Sequence, residues 1–131
     1  MQELYSIGIT DESLKYMLSA FPEITFLTSE EVRDKIIILI NVGCSNNHIL
    51  NILEANPWYL DRSSSDVLHL INKLESLGFD CLNILFDSNP FILSLDVFEI
   101  DDYIAKQVAE GISLDDIVFR LESNPELFND I

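Results

Sequence analysis

GCSNNHILNILEANP (Gly43–Pro57) and GFDCLNILFDSNP (Gly78–Pro90) are two copies of one phrase. Each opens on glycine, follows it with an apolar residue and a polar helix start, runs through Ile and Leu at helical spacing, and closes on Asn-Pro. Two further copies lie outside them, GITDESLKYMLSAFP (Gly8–Pro22) and GISLDDIVFRLESNP (Gly111–Pro125). All four glycines and all four prolines of the chain fall in this register. The glycine steps are 35, 35 and 33 residues and the proline steps 35, 33 and 35. A fixed period of this length is the mark of a repeat array, in which each unit covers its apolar face with the next.

The punctuation has a mechanism. Glycine suits the left-handed residue just past a helix, where a Cβ would clash. Thr10, Ser45, Asp80 and Ser113 are each placed two residues later to cap a new helix through a side-chain oxygen. Proline drives the residue before it out of the helical region and ends that helix. Between proline and the next glycine a second apolar stripe runs through Val32, Ile36 and Leu39, through Val67, Ile71 and Leu74, and through Ile100, Ile104 and Val108. Thr28 and Glu31 offer a capping box at the start of the first of these.

The reading is therefore all-α: a helical-repeat array, or α-solenoid, of about three and a half units. The units fall at about 8–42, 43–77, 78–110 and 111–131 within one domain, 1–131. Seven helices are expected, near residues 10–20, 29–42, 45–55, 65–77, 80–88, 96–110 and 113–123. Leu14, Leu18, Ile36, Ile49, Leu53, Ile71, Leu82, Phe86, Ile104 and Leu121 are expected to be buried between them. Arg120 stands where earlier units have Met17, Ile52 and Leu85, which predicts an exposed, capping last helix and a monomer.

Charge is the second strong signal. The chain carries 23 acidic and 7 basic side chains, a net of −16. The acid deepens toward the end, from −4 over residues 1–42 and −4 over 43–95 to −8 over 96–131. The seven Lys and Arg are scattered with no basic stripe, so a groove that tracks phosphates by counterion release has no means here. Charge thus favours a protein partner, with a basic one as a candidate, over nucleic acid for the isolated chain. No apolar run is long enough for a membrane span. The opening residues lack a signal- or transit-peptide pattern, and Cys44 and Cys81 sit amid apolar sequence as buried thiols. These features predict a cytoplasmic protein.

Leu77-Gly78 followed by Leu82, Ile84, Leu85 and Asn89-Pro90-Phe91-Ile92-Leu93 resembles the mitochondrial transcription termination factor (mTERF) repeat. Asn56-Pro57-Trp58-Tyr59-Leu60 and Asn124-Pro125-Glu126-Leu127-Phe128 resemble it too. The resemblance implies units of two antiparallel helices and a short 3₁₀ turn, coiled into a superhelix that grips double-stranded nucleic acid. An mTERF-like, nucleic-acid-associated regulator, acting weakly or within a complex, is accordingly the alternative to the protein-binding scaffold.

Motifs for chemistry are absent: no phosphate loop, dinucleotide fingerprint, zinc-binding pair or nucleophile beside a base is visible. No catalytic, cofactor or metal residue is assigned, and the chain reads as a non-enzyme. Cys44 and His48 share one helical face, as half a metal site at most. The residue after proline is Glu23, Trp58, Phe91 and Glu126 in the four units. A position that takes glutamate twice is expected to be accessible, which makes Trp58 and Phe91 the candidate partner-binding residues.

Overall fold

Each of the four glycines closes a helix in a left-handed turn. In the computed structural model, which describes residues 1–131, Gly78 has φ of +106°, and Gly8, Gly43 and Gly111 stand at +100°, +100° and +89°. After Gly78 the Phe79 amide reaches back five positions to the Leu74 carbonyl, at 3.2 Å, while the Gly78 amide donates to the Glu75 carbonyl. The same pair of bonds recurs at Ile9, Cys44 and Ile112. It satisfies carbonyls that the helix end would leave orphaned and folds the next apolar residue back onto the helix.

The elements follow the repeat. In chain order they are α1 (Gln2–Ser6), α2 (Asp11–Ala20), the 3₁₀ turn η1 (Pro22–Phe26), α3 (Ser29–Asn41), α4 (Asn46–Ala55), η2 (Pro57–Asp61), α5 (Ser64–Leu77), α6 (Leu82–Ser88), η3 (Pro90–Ser94), α7 (Val97–Ala109), α8 (Leu114–Ser123) and η4 (Pro125–Asp130). There is no strand. The seven expected helices are present as α2 to α8, with the short α1 added in front. Three rows run side by side: α1, α3, α5 and α7 pack in series, as do α2, α4 and α6, and η1 to η4. One contiguous apolar cluster fills the space between the rows, from Leu4 to Phe128. Of the ten residues expected inside, Leu18 and Ile104 are only partly buried and the other eight are buried.

Three helix starts are capped as the sequence requires. Thr10, Ser45 and Ser113 each accept the amide of the residue three further on. Asp80 does not cap. The third unit is two residues shorter, so α6 begins at Leu82 behind an uncapped Cys81 and runs for 7 residues where α2, α4 and α8 run for 10. Between α6 and α8 remains a cavity of about 70 Å³, lined among others by Cys81, Ile84, Leu85 and Glu122. Cys81 is therefore exposed rather than buried as its apolar neighbours suggested, while Cys44 is buried. Val108 departs too, at 51% exposure. Among the long helices α7 has its neighbour on the α5 side, so the last turn of its stripe stays uncovered.

The units are tied together at the residue before proline. Proline holds Asn56 and Asn89 at extended φ values of −138° and −144°, turning their side chains away from the helix that has just ended. The Asn56 amide donates to the Pro90 carbonyl at 3.0 Å and to the Ser94 hydroxyl at 2.9 Å. One repeat on, the Asn89 amide donates to the Pro125 carbonyl at 2.9 Å and to Asn129 Oδ1 at 3.0 Å. Both asparagines are buried. Asn124 has the same sequence context and is exposed.

Removing a buried amide strands its acceptors, so Asn56→Ala and Asn89→Ala should each lower the unfolding free energy by about 1–3 kcal/mol. Asn124→Ala, at the same repeat position without a neighbour, should stay within about 0.5 kcal/mol of the parent. Urea unfolding followed by helical circular dichroism measures all three. Equal effects at the three positions would refute the clamp.

Candidate functional site

The row of 3₁₀ turns presents the candidate residues. Proline at the first position presets the backbone of each turn, and the residue after it points outward in all four: Glu23, Trp58, Phe91 and Glu126 are exposed. Trp58 retains 46% and Phe91 50% of its accessible surface. The curl of the array does not cover them. They stand on neighbouring turns, η2 and η3, and the Asn56 bond to the Pro90 carbonyl links the two turns directly.

Trp58 is also held from the other side. The residue before the first proline is Phe21, where the later units have asparagine, and its ring lies 6.3 Å from the Trp58 ring at 36°. Phe21 is buried and Trp58 half exposed, so the contact fixes the indole and leaves part of it free. Tilted aromatic pairs at this distance are favourable beyond their area alone. Phe91 has no such aromatic neighbour; its turn is fixed through hydrogen bonds.

The cations are mostly committed elsewhere. Lys73 pairs with Asp101 at 2.8 Å and Lys106 with Asp102 at 2.9 Å, and Arg33 lies 4.0 Å from Glu3. The Arg62 guanidinium donates to the Leu93 carbonyl on η3. Lys35 is 3% exposed, and burial pushes its ammonium below the usual lysine range against the pull of Glu31, Asp34 and Asp61. Lys15 and Arg120 are exposed and without an ion pair, on α2 and α8 at opposite ends of the array. No face carries a continuous basic stripe.

Cys44 and His48 do not build a metal site. His48 Nδ1 accepts the Ser45 amide at 3.3 Å in a capping box, and no group of three or more His, Cys, Asp or Glu side chains converges anywhere. Burial, with Asp87 as a lesser cause, raises the Cys44 thiol to about 11. Burial likewise raises the Tyr59 phenol far above its usual range, and its hydroxyl donates to the Lys35 carbonyl at 2.7 Å. These groups hold the fold.

Residues 1–97 match the mTERF family model. The chain belongs to the mTERF family. It is 30% identical over 77 residues to "Transcription termination factor 1, mitochondrial" of Homo sapiens, and equally to that of Pongo abelii. The match takes in 59% of this chain and 18% of each relative, so the chain spans less than a fifth of their length. No solved structure matches it.

Membership overturns two expectations. Charge had pointed to a monomer with a protein partner in place of nucleic acid; a family whose relatives are named for transcription termination does not permit that exclusion. Net charge governs the strength and salt response of association, and it does not decide which polymer an array can hold. The cytoplasmic placement falls as well, since both relatives are mitochondrial by name. Cellular address is carried by a receptor-read segment, and composition within a repeat encodes stacking only. No helix is long and apolar enough to cross a membrane.

The two thiols give a direct check of the burial pattern. The thiolate is the reactive form, so Cys44, raised to about 11, should be almost entirely protonated at pH 8, whereas Cys81 is exposed. Labelling the folded protein with a disulfide-exchange reagent at pH 8 should modify one thiol per chain, at Cys81. Addition of denaturant should release the second. Rapid modification of both in the native protein would contradict the buried position of Cys44.

Proposed function

We propose that this chain is a nucleic-acid-associated regulator of gene expression, acting on transcripts or their template as part of a larger assembly, within mitochondria. The observation that carries the reading is the mTERF match over residues 1–97, laid on an array whose units have the helix–helix–3₁₀ build that the sequence resemblance implies. The relatives named for transcription termination in mitochondria supply the process and the compartment by similarity. The assembly follows from electrostatics. With a net of −16, three of the seven cations in ion pairs and Lys35 buried, phosphate neutralisation contributes little, so tight binding needs additional basic surface from elsewhere.

A non-catalytic role fits the same features. The array offers rigid, periodic surface and no nucleophile poised beside a base, which suits recognition and positioning.

Ultraviolet crosslinking of the full-length protein in its own cells tests the proposal. After denaturing purification, attached nucleic acid should exceed that recovered with an unrelated acidic protein, and should derive from the mitochondrial genome or its transcripts. Recovery at the control level, or of nuclear sequences alone, would count against it.

A further inference from the structure

The row of 3₁₀ turns differs from the rest of the surface in charge. Its outer members carry acid at the exposed position, Glu23 on η1 and Glu126 with Asp130 on η4. Its middle does not. Residues 88–95, around Phe91, contain no charged side chain, and residues 55–62, around Trp58, contain only Asp61 and Arg62. The two half-exposed aromatics therefore occupy a locally neutral window in a strongly acidic protein. Arg62, whose guanidinium bonds the Leu93 carbonyl, is the one cation within it.

The window is also tied down by contacts on either side. Trp58 leans on Phe21, and the two aromatic-bearing turns are joined by the Asn56 bond to Pro90, the residue immediately before Phe91. A ring packed as Trp58 is, beside a second ring on a tethered turn, loses little entropy when a flat ligand lies against it. Every nucleobase has such a flat face, and base–aromatic stacking works without sequence preference. In a duplex those faces are already stacked on one another, and what the outside offers is phosphate, for which this surface has few partners.

We infer that the chain engages single-stranded nucleic acid through unpaired bases stacked on Trp58 and Phe91, and that the phosphate backbone contributes no net attraction. This inference rests on the nucleic-acid reading above and names the ligand's form. It has an electrostatic signature opposite to that of an ordinary nucleic-acid-binding protein. A protein with many phosphate contacts loses affinity steeply as salt rises, because it gains by releasing counterions. Here the long-range term is repulsion between a chain of −16 and a polyanion, and salt screens it. Affinity should hold or increase.

Trp58 is the only tryptophan, so its fluorescence reports on the proposed contact directly. Oligo(U) and oligo(dT) of about a dozen nucleotides, long enough for such a site, are titrated into the protein at low and at high salt beside a matched duplex. The single strands should quench Trp58, with affinity at high salt equal to or a few-fold above that at low salt. Phe91→Ala should weaken binding about tenfold, within the range for loss of one stacked base, and its circular dichroism should match the parent, since Phe91 is half exposed. Trp58→Ala, read by anisotropy of a labelled oligonucleotide, should weaken binding similarly.

Absence of quenching by single strands, or affinity that falls steeply with salt, would overturn the inference. A labelled duplex that binds while Trp58 stays unquenched would overturn it and leave the proposed function standing. Failure of every nucleic acid, alone and with the natural assembly, would remove both.

Discussion

The hydrogen bond from the asparagine before each of the two middle prolines, Pro57 and Pro90, to the next unit's proline carbonyl is the contact on which the array depends. Apolar helix faces attract one another without fixing a register, since a stripe of Ile and Leu packs nearly as well when slid along its neighbour. Asn56 and Asn89 remove that freedom. Each is buried and each delivers two hydrogen bonds to a point in the following unit, a backbone carbonyl and a side-chain oxygen four residues beyond it. The device has a cost: Asn56 Oδ1 is buried with no partner. An unpaired buried acceptor sacrifices stability, so the clamp serves geometry ahead of maximal stability.

The first junction reaches a similar arrangement by different chemistry. Phe21 takes the place of asparagine and packs against Trp58, while Tyr59 donates from η2 to the Lys35 carbonyl in the first unit. A phenol inside the apolar cluster must find an acceptor, and that requirement fixes η2 against α3 as firmly as an amide would. Ser13 and Glu54 add a weaker tie at 3.3 Å on the outer row. Directional polar contacts thus locate each junction, and the apolar cluster supplies most of the cohesion.

Much of this was legible in the sequence because glycine and proline have narrow backbone meanings. A left-handed residue and a forced extended residue, repeated at one period, determine where helices end, and the ends determine the stacking. Side-chain consequences were less legible. The Asn-Pro pairs at Asn56, Asn89 and Asn124 are plain to see, but their bonds join residues 34 to 40 positions apart and become apparent only once the turns lie side by side. The two missing residues of the third unit were visible as well. What they do to Asp80, Cys81 and the space beside α8 depends on how α6 settles, and the local pattern does not say. Trp58 and Phe91 were found by comparing equivalent positions between units, a comparison that a single unit would not allow. Partner class was misread because a whole-chain charge was taken to describe every face, and cellular address because the opening residues and the thiols were taken to report the compartment.

Charge in an array is better judged row by row. The rows of helices carry most of the acid, and they pair three of the seven cations along the way. The row of 3₁₀ turns is spared in its middle, because proline and asparagine occupy its first positions and apolar residues such as Leu60, Ile92 and Leu93 fill its inner side. The exposed residue after proline differs between units, and there the middle units carry aromatics while the outer ones carry glutamate. Proline presets the backbone of each turn, asparagine binds each middle turn to the next, and the exposed residue after proline is one that a repeat can change without disturbing its neighbours. Variation at that position can therefore alter what the surface recognises while the stacking stays as it is.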